Sequence, residues 1–320
     1  MPKIRRPEGP ATTSWPAVAL IIGGAVVQAT AVIAALALAG MWDLSAGVRS
    51  VGVLLGVSVV WGFLLYRIVR PRMVAMRQLA HTRDALILGL AKLADFRDSD
   101  TGKHLERISA FSGMLARAYE LPADAPVSGS IADGPIGEDW ITTLELASSL
   151  HDIGKVGIPD DILLKPGPLT TTEREIMQRH TEIGADTLIE ISERLGKDDL
   201  VAMALVVALQ HHERWDGSGY PMGLSGYDIA LAARIVALAD FYDALTSDRV
   251  YKSASTHEET RKLILENRGR HVDPAVVDAF ERIHERMAQT KASLSPEGAD
   301  PLRGIARYRE KLAQESHRAA

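Results

Sequence analysis

The sequence lacks cysteine and has no excess of positive charge. Without cysteine there are no disulfides or thiolate ligands, so any metal would have to be held by nitrogen and oxygen atoms. The formal net charge of −5 argues against a general nucleic-acid binder, and no nucleic-acid polymer is expected as a partner. No segment alternates with period two over the length of a strand, so the sequence predicts an all-α fold.

Two long apolar runs lie near the N-terminus. Residues 17–40 carry no charge, and residues 51–69 are nearly charge-free until Arg67. Each run is long enough to cross about 30 Å of hydrocarbon. Basic residues flank the pair, so the positive-inside rule puts both ends in the cytoplasm; these are Lys3, Arg5, Arg6, Arg67, Arg70, Arg72 and Arg77. A cleaved signal peptide followed by a buried helix is the alternative, but the first run is longer than a signal-peptide core.

The sequence thus predicts a cytoplasmic tail over residues 1–16 and a transmembrane hairpin over 17–69, with helices at about 17–40 and 51–69. A juxtamembrane linker helix follows over residues 70–84. Its apolar positions continue beyond 84 at helical spacing, at Met76, Leu79, Leu86, Leu90 and Leu93. This pattern fits either a coiled coil, with a possible homodimer, or the first amphipathic helix of the next domain.

The rest of the chain is predicted to be helical up to about residue 290. Helices are expected over 104–119, 139–153, 198–212, 230–246 and 275–289. Thr172 with Glu175, and Thr256 with Glu259, have the spacing of a capping box, which predicts a helix start at each threonine. Residues 290–320 are polar, contain Pro296 and Pro301, and are predicted to form a loosely attached tail.

Histidines and carboxylates form the most informative pattern. The candidate ligands are His104, His151, Asp152, His180, His211, His212 and Asp240. Imidazole and carboxylate together suit two adjacent divalent cations. A charged lysine beside such a pair is better suited to hold a phosphate oxygen than to be a ligand, which is the role expected for Lys155. A single histidine is more often an ordinary core or surface residue, so the prediction depends on the whole series.

That series has a family resemblance. In order along the chain it includes RDSDTGKHLERIS, SLHDIGKVGIPDDIL, HTEIGADTL, HHERWDGSGYP, ARIVALADFYDALTSDRVYK and HVDPAVVDAF. Residues 85–289 thereby resemble an HD-GYP domain, the branch of the HD phosphohydrolase superfamily that degrades cyclic di-GMP. The resemblance implies a helical HD-type metal-dependent phosphohydrolase domain, here preceded by the predicted transmembrane hairpin.

The resemblance also implies the ligand sets. His104, His151, Asp152 and Asp240 would hold one ion. His180, His211 and His212 would hold a second, with Asp152 bridging. Asp100 stands where some members place a third-site glutamate, which leaves a third ion open. The implied cofactors are therefore two or three divalent ions, with iron or manganese expected.

Other matched positions imply nucleotide contacts. Lys155, Tyr220, Arg249 and Lys252 correspond to residues that contact the nucleotide in the family. Gly217 and Gly219 are expected to give the loop backbone angles closed to other residues, and Pro221 to stiffen its exit. Tyr220 offers a ring on which guanine can stack and a hydroxyl for hydrogen bonding. Asp243, one helical turn after Asp240, is expected to brace a ligand or the loop.

The resulting hypothesis is a membrane-anchored cyclic di-GMP phosphodiesterase. A hydroxide bridging the ions would attack phosphorus, with Asp152 and Lys155 as catalytic residues. The product would be pGpG, or GMP where the linear product is cut again. The expected location is the bacterial inner membrane, multi-pass, with the bilayer as a partner and the catalytic domain in the cytoplasm. Two alternatives remain open: hydrolysis of a related cyclic dinucleotide, and a receptor that binds nucleotide without turnover.

Overall fold

The computed structural model describes residues 44–95, 97, 103–122, 131–133, 136–248 and 254–294. Its helices are α1 Leu44–Asp95, α2 His104–Ala118, α3 Glu138–Ser148, α4 Asp160–Leu163, α5 Thr171–Gln178, α6 His180–Leu195, α7 Asp199–Gln210, α8 Leu231–Thr246, α9 His257–Glu266 and α10 Pro274–Leu294. Short 3-10 turns lie at Ile131–Asp133, Ile153–Gly157 and Gly226–Asp228. The only β-pairing among these residues is two isolated bridges, so the all-helical prediction is confirmed for the part of the chain described.

The chain divides into two units, Met1–Arg83 and Asp84–Ala320. In the first unit, helix α1 runs without a break through both the second apolar run and the linker predicted over 70–84. Pro71 lies inside this helix and does not end it. The tail predicted over 1–16 and the first apolar run, 17–40, lie outside the described residues.

The predicted transmembrane hairpin is wrong, and so is the multi-pass membrane location that depended on it. Across the residues with described positions, no helix combines the length and the apolar character needed to cross a membrane. Only 17 uncharged residues separate Arg49 from Arg67. In a helix they rise about 26 Å, which is less than the roughly 30 Å of a hydrocarbon core.

The second unit is organised around α8. Almost every side chain from Leu231 to Ala239 is buried, as expected for a helix that is apolar on all sides. Helix α2 packs on it through residues spaced three and four apart, Ile108, Phe111 and Leu115, all fully buried. Helices α7, α9 and α10 also contact α8. Asp240, in the C-terminal half of α8, therefore lies within the helical assembly.

Helix ends agree only partly with the sequence prediction. The capping box at Thr256 and Glu259 is confirmed. The other box uses Thr170 with Glu173, so the start predicted at Thr172 is wrong by two residues. Thr170 and Thr172 are each followed by a glutamate three residues later. The side chain of Thr170 is the one that accepts a hydrogen bond from a main-chain N–H.

The segment predicted as one helix over 139–153 is divided. Helix α3 ends at Ser148, and a 3-10 turn begins at Ile153. His151 and Asp152 therefore lie in the connection between the two rather than within a helix. At the other end of the unit, α10 continues to Leu294, five residues into the predicted tail; residues 295–320 lie outside the described positions.

Candidate metal centre

The connection after α3 places His151 and Asp152 at the centre of the site. His151 is completely buried, and its Nδ1 donates to the Ser148 carbonyl at 2.8 Å. Because a carbonyl only accepts, the proton lies on Nδ1 and the lone pair of Nε2 faces the site. The Oδ2 atom of Asp152 lies 3.2 Å from this Nε2 and 2.7 Å from the Lys155 ammonium.

Three further histidines meet the other oxygen of Asp152. His180 begins α6 and His211 follows α7, and their Nδ1 atoms donate to the carbonyls of Met177 at 2.7 Å and Val207 at 3.0 Å. Their Nε2 atoms lie 3.2 and 3.7 Å from Asp152 Oδ1. Together with His212, their donor atoms all lie within 4.8 Å of one another. We call Asp152, His180, His211 and His212 the Asp152 group.

A second cluster faces Oδ2. His104, His151 and Asp240 offer donor atoms that also lie within 4.8 Å of one another, and we call them the Asp240 group. His104 comes from the start of α2 and Asp240 from α8. The Nδ1 of His104 lies 2.8 Å from Asp243 Oδ2, so Asp243 contacts a candidate ligand, and its bracing role stays a prediction.

The two groups fit divalent cations. Four buried atoms of these two groups have no hydrogen-bond partner: His151 Nε2, His180 Nε2, His211 Nε2 and Asp152 Oδ1. Buried polar atoms are nearly always satisfied, so such atoms converging on one place are suited to bind a metal ion. Nitrogen and carboxylate oxygen suit iron, manganese and zinc. Since Asp152 turns one oxygen to each group, it could bridge two ions.

Electrostatics keep Asp152 and His212 in the form that binds metal. Burial alone would lower the pKa of His151, but the Asp152 carboxylate raises it to about 9, so a metal ion would have to displace a proton from this ring. Burial alone would raise the pKa of Asp152, but the Lys155 ammonium and His151 outweigh it and hold that pKa well below its ordinary value. Burial, with His211 and His180 nearby, holds the pKa of His212 well below its ordinary value. Asp152 is therefore ionised and His212 neutral at pH 7, as ligation requires.

The turn that carries Lys155 is fixed by two residues to which the sequence analysis gave no role. The guanidinium of Arg97 donates to the carbonyl oxygens of Val156 at 2.7 Å and Ile158 at 3.3 Å. A Cβ on Gly154 would lie 1.9 Å from the His180 carbonyl oxygen and 2.5 Å from the Gly184 nitrogen. Only glycine permits this approach of the turn to α6. Both residues lie in the stretches that carry the family resemblance. Their contacts are made with residues distant in the sequence, so the sequence alone does not reveal them.

The Gly-Tyr-Pro loop covers the Asp152 group. Gly217 has φ +81°, as expected. The expectation for Gly219 was wrong: its φ is not positive, and glycine is needed there because a Cβ would lie 2.4 Å from the Arg214 nitrogen. The Tyr220 ring stacks on His212 with centroids 4.8 Å apart, and the Tyr220–Pro221 peptide bond is cis.

Buried Glu213, which the sequence analysis did not single out, closes this loop. Its two carboxylate oxygens accept hydrogen bonds from the main-chain N–H groups of Met222 at 2.7 Å and Leu224 at 3.0 Å. Burial raises the pKa of Tyr220, so its hydroxyl stays protonated and can donate. The remaining predicted site residues, Asp100, Arg249 and Lys252, lie outside the described residues.

Comparisons with known proteins identify several relatives of this chain. The chain is 44% identical over 211 residues to a "Cyclic di-GMP phosphodiesterase" of Vibrio cholerae, covering 66% of this chain and 42% of the relative. It is 40% identical over 212 residues to "Cyclic di-GMP phosphodiesterase response regulator RpfG" of Xanthomonas campestris pv. campestris, covering 66% and 51%. It is 37% identical over 219 residues to "3'3'-cGAMP-specific phosphodiesterase 2" of Vibrio cholerae, covering 68% and 38%.

The chain thus spans about half or less of the length of these relatives. A family described as "HD domain" matches residues 90–276, which contain every residue of both groups. The predicted family is confirmed: the chain belongs to the HD domain family, with relatives named as cyclic di-GMP phosphodiesterases.

Proposed function

We propose that this protein is a metal-dependent phosphodiesterase that hydrolyses cyclic di-GMP. The observation that carries the proposal is the position of Asp152, whose two oxygens face two separate histidine groups. Relatives named as cyclic di-GMP phosphodiesterases, at 44% and 40% identity, support the substrate. Hydrolysis adds one water across a P–O3′ bond of the ring, so the first product is linear pGpG; a second cleavage would give GMP.

The proposed cofactors are two divalent ions, iron or manganese. One would be held by His180, His211 and His212, the other by His104, His151 and Asp240, with Asp152 between them. Bound there, such ions supply Lewis-acid chemistry, which lowers the pKa of water and neutralises charge on phosphate oxygens. A third ion at Asp100 is not part of this proposal.

The chain's own residues bind and orient the nucleotide in this proposal. Lys155 provides a fixed positive charge beside Asp152, where it can hold a non-bridging phosphate oxygen and stabilise the charge that develops there. Tyr220 presents a ring and a protonated hydroxyl above His212, which suits a purine base with polar edges. Arg249 and Lys252 are retained as proposed contacts to the other phosphate, since arginine suits bidentate binding of phosphate.

The experiment uses the full chain, purified without oxygen and supplied with Mn²⁺ or Fe²⁺. Cyclic di-GMP turnover is followed by chromatography. We expect hydrolysis that falls by at least about a thousandfold in Asp152→Ala, since that residue would serve both ions. His81→Ala, at an exposed position, is the matched control and should retain activity. A parent chain that binds the nucleotide without cleaving it would favour a receptor and overturn the proposal.

A second substrate is supported by a specific observation. Three relatives, at 37%, 30% and 31% identity, are named 3'3'-cGAMP-specific phosphodiesterases. The two nucleotides differ in one purine, so the same metal centre could cleave either. Measuring kcat/KM for both substrates under identical conditions decides between them, and a higher value for 3'3'-cGAMP would replace cyclic di-GMP in the proposal.

A further inference from the structure

Lys291 lies in the last turn of α10, beyond residue 276, where the match to the HD domain family ends. Its side chain is only 16% exposed. The ammonium donates to the hydroxyls of Thr246 at 2.6 Å and Ser247 at 2.7 Å, at the end of α8, and lies 3.7 Å from Asp243 Oδ1. A residue outside the family match therefore contacts the side chain that orients a candidate metal ligand.

Asp243 joins three helices. Its Oδ2 accepts from His104 Nδ1 at 2.8 Å, and Arg107 binds both oxygens, through Nε at 2.5 Å and Nη2 at 2.9 Å. Arg107 and His104 belong to α2, Asp243 to α8 and Lys291 to α10. Because the carboxylate accepts from a histidine whose other nitrogen faces the site, its orientation sets the direction of that lone pair.

Burying Lys291 has a cost. Loss of hydration, only partly offset by Asp243, lowers the pKa of Lys291 to about 8 from its ordinary value. Since the folded-state pKa lies below the unfolded value, the cost is present in full below about pH 8 and vanishes above about pH 10.5. A buried charge that weakens the fold at neutral pH needs another reason to be there.

The neighbours of Lys291 do not require it as a partner. Thr246 Oγ1 also donates to the Tyr242 carbonyl at 2.7 Å, and Asp243 already has the guanidinium of Arg107. The Lys291 ammonium does, however, connect α10 both to the Asp243 carboxylate and to the end of α8. This contact restricts the movement of the carboxylate relative to His104.

We propose that Lys291 is a positioning residue that acts through Asp243 to fix His104 as a ligand in the Asp240 group. The inference rests on the metal site of the proposed function and is independent of the nucleotide. It assigns α10, the last helix among the described residues, a part in the metal centre that the matched family segment does not include.

The first test measures Mn²⁺ binding by the metal-free full chain, without any nucleotide. Removing a side chain that contacts a metal ligand costs about 10- to 100-fold in metal affinity. Lys291 contacts such a side chain, Asp243, rather than the ligand itself. We therefore expect Lys291→Met to weaken one of two Mn²⁺ sites by roughly threefold to tenfold. Lys262→Met, the same change at an exposed lysine, is the control and should bind both ions as the parent does.

Two further outcomes separate positioning from other roles. If Lys291 acted only as a positive charge, its removal would tighten Mn²⁺ binding, and unchanged or tighter binding overturns the proposal. If it were needed only for folding, the melting temperature of metal-free Lys291→Met would fall. We expect it to stay the same or rise, because the buried charge is gone.

A double-mutant cycle tests the route through Asp243. In an Asp243→Asn background, Lys291→Met should have no further effect on Mn²⁺ affinity, whereas additive losses would contradict the proposal. Lys291→Arg, which keeps the charge but has a bulkier planar head group, should bind Mn²⁺ more tightly than Lys291→Met and less tightly than the parent. Because the readout is metal binding, a chain that fails to cleave cyclic di-GMP would refute the proposed function and leave this inference testable.

Discussion

The Asp152 group and the Asp240 group use the same kinds of donor atoms but orient them by different means. In the Asp152 group, the rings of His180 and His211 are held by main-chain carbonyls three or four residues earlier in the chain. In the Asp240 group, His151 is held in the same way by Ser148. His104 is instead held by the carboxylate of Asp243, which lies 139 residues away in sequence.

This difference predicts how each group can be altered. A main-chain carbonyl cannot be removed by substitution, so the Asp152 group depends on backbone placement. A carboxylate can be replaced, and it forms a stronger, charge-assisted hydrogen bond that makes the ring a better donor to metal. The Asp240 group should therefore be the one whose affinity changes when surrounding side chains are substituted.

Among the substitutions that test this comparison, the largest effect is expected from Gly154→Ala, which should disturb the backbone placement of the Asp152 group. The new Cβ would lie 1.9 Å from the His180 carbonyl oxygen, an atom that cannot move without shifting α6. A displacement of about 1 Å can cost about 100-fold in rate, and overpacking costs about 1–3 kcal/mol of stability. Turnover assays, Mn²⁺ titration and thermal melts measure these losses.

Gly89→Ala is the matched control, because an added Cβ there meets nothing within 4 Å. In a helix interior this change should stabilise by up to about 1 kcal/mol and leave turnover intact. If Gly154→Ala retained both Mn²⁺ ions and full turnover, the Asp152 group would not depend on this close backbone approach.

The next largest effect is expected from Asp243→Asn, a substitution that should disturb the Asp240 group alone. The substitution replaces a carboxylate that accepts from His104 and from Arg107 with a neutral amide. We expect one Mn²⁺ site to weaken by about 10- to 100-fold while the other is retained. Asp278→Asn, an exposed aspartate paired with Arg268, is the control. Equal weakening of both sites would show that the two groups are not separately oriented.

The family resemblance implied the ligand groups because each candidate ligand belongs to a short recognisable stretch, and their role as ligands stays a prediction. The structure brings His104, His151 and Asp240 together although they are spread along the chain. The sequence also predicted the helical class and the cap at Thr256. These features depend on residue type and local spacing.

Two features that the sequence analysis missed depend on tertiary contacts. Glycine is needed at 219 because the Arg214 nitrogen lies close to it, and the role proposed for Lys291 depends on a contact between α10 and α8. Neither leaves a local pattern. The membrane prediction failed differently: apolar composition over 51–69 was counted without the limit that Arg49 and Arg67 set on the uncharged length.

A smaller effect, from Glu213→Gln, tests whether the loop beside the Asp152 group serves the nucleotide rather than the ions. Glutamine would turn an NH₂ group toward a main-chain N–H of Met222 or Leu224, so one hydrogen bond is lost and a donor faces a donor. A loss near 1 kcal/mol corresponds to roughly a fivefold rise in KM, with kcat and Mn²⁺ content unchanged. Steady-state kinetics and metal analysis measure both.

The control is Glu266→Gln, at an exposed glutamate that pairs with Lys262. Its kinetics should match those of the parent. Loss of an Mn²⁺ ion in Glu213→Gln would mean that Glu213 supports the neighbouring candidate ligand His212. The loop would then serve the ions as well as the nucleotide, contrary to the prediction.

The smallest effect concerns pH and the surroundings of the Asp240 group. His271 packs on Phe241, beside Asp240, with ring centroids 4.6 Å apart. Burial, with Arg214 nearby, lowers the pKa of His271 to about 4. Because its unfolded pKa is about 6.5, the folded state resists protonation, and stability falls as pH drops from about 6.5 to about 4.

His271→Gln removes that titration, so its urea midpoint should fall less than the parent's between pH 7 and pH 5. After allowance for solvent screening, the pH-dependent loss of unfolding free energy at pH 5 should be about 1 kcal/mol smaller in His271→Gln than in the parent. His81→Gln, at an exposed position, should follow the parent curve. Parallel curves for parent and His271→Gln would mean that His271 is protonated at no cost to the fold, and the packing beside Asp240 would then be loose enough to admit water.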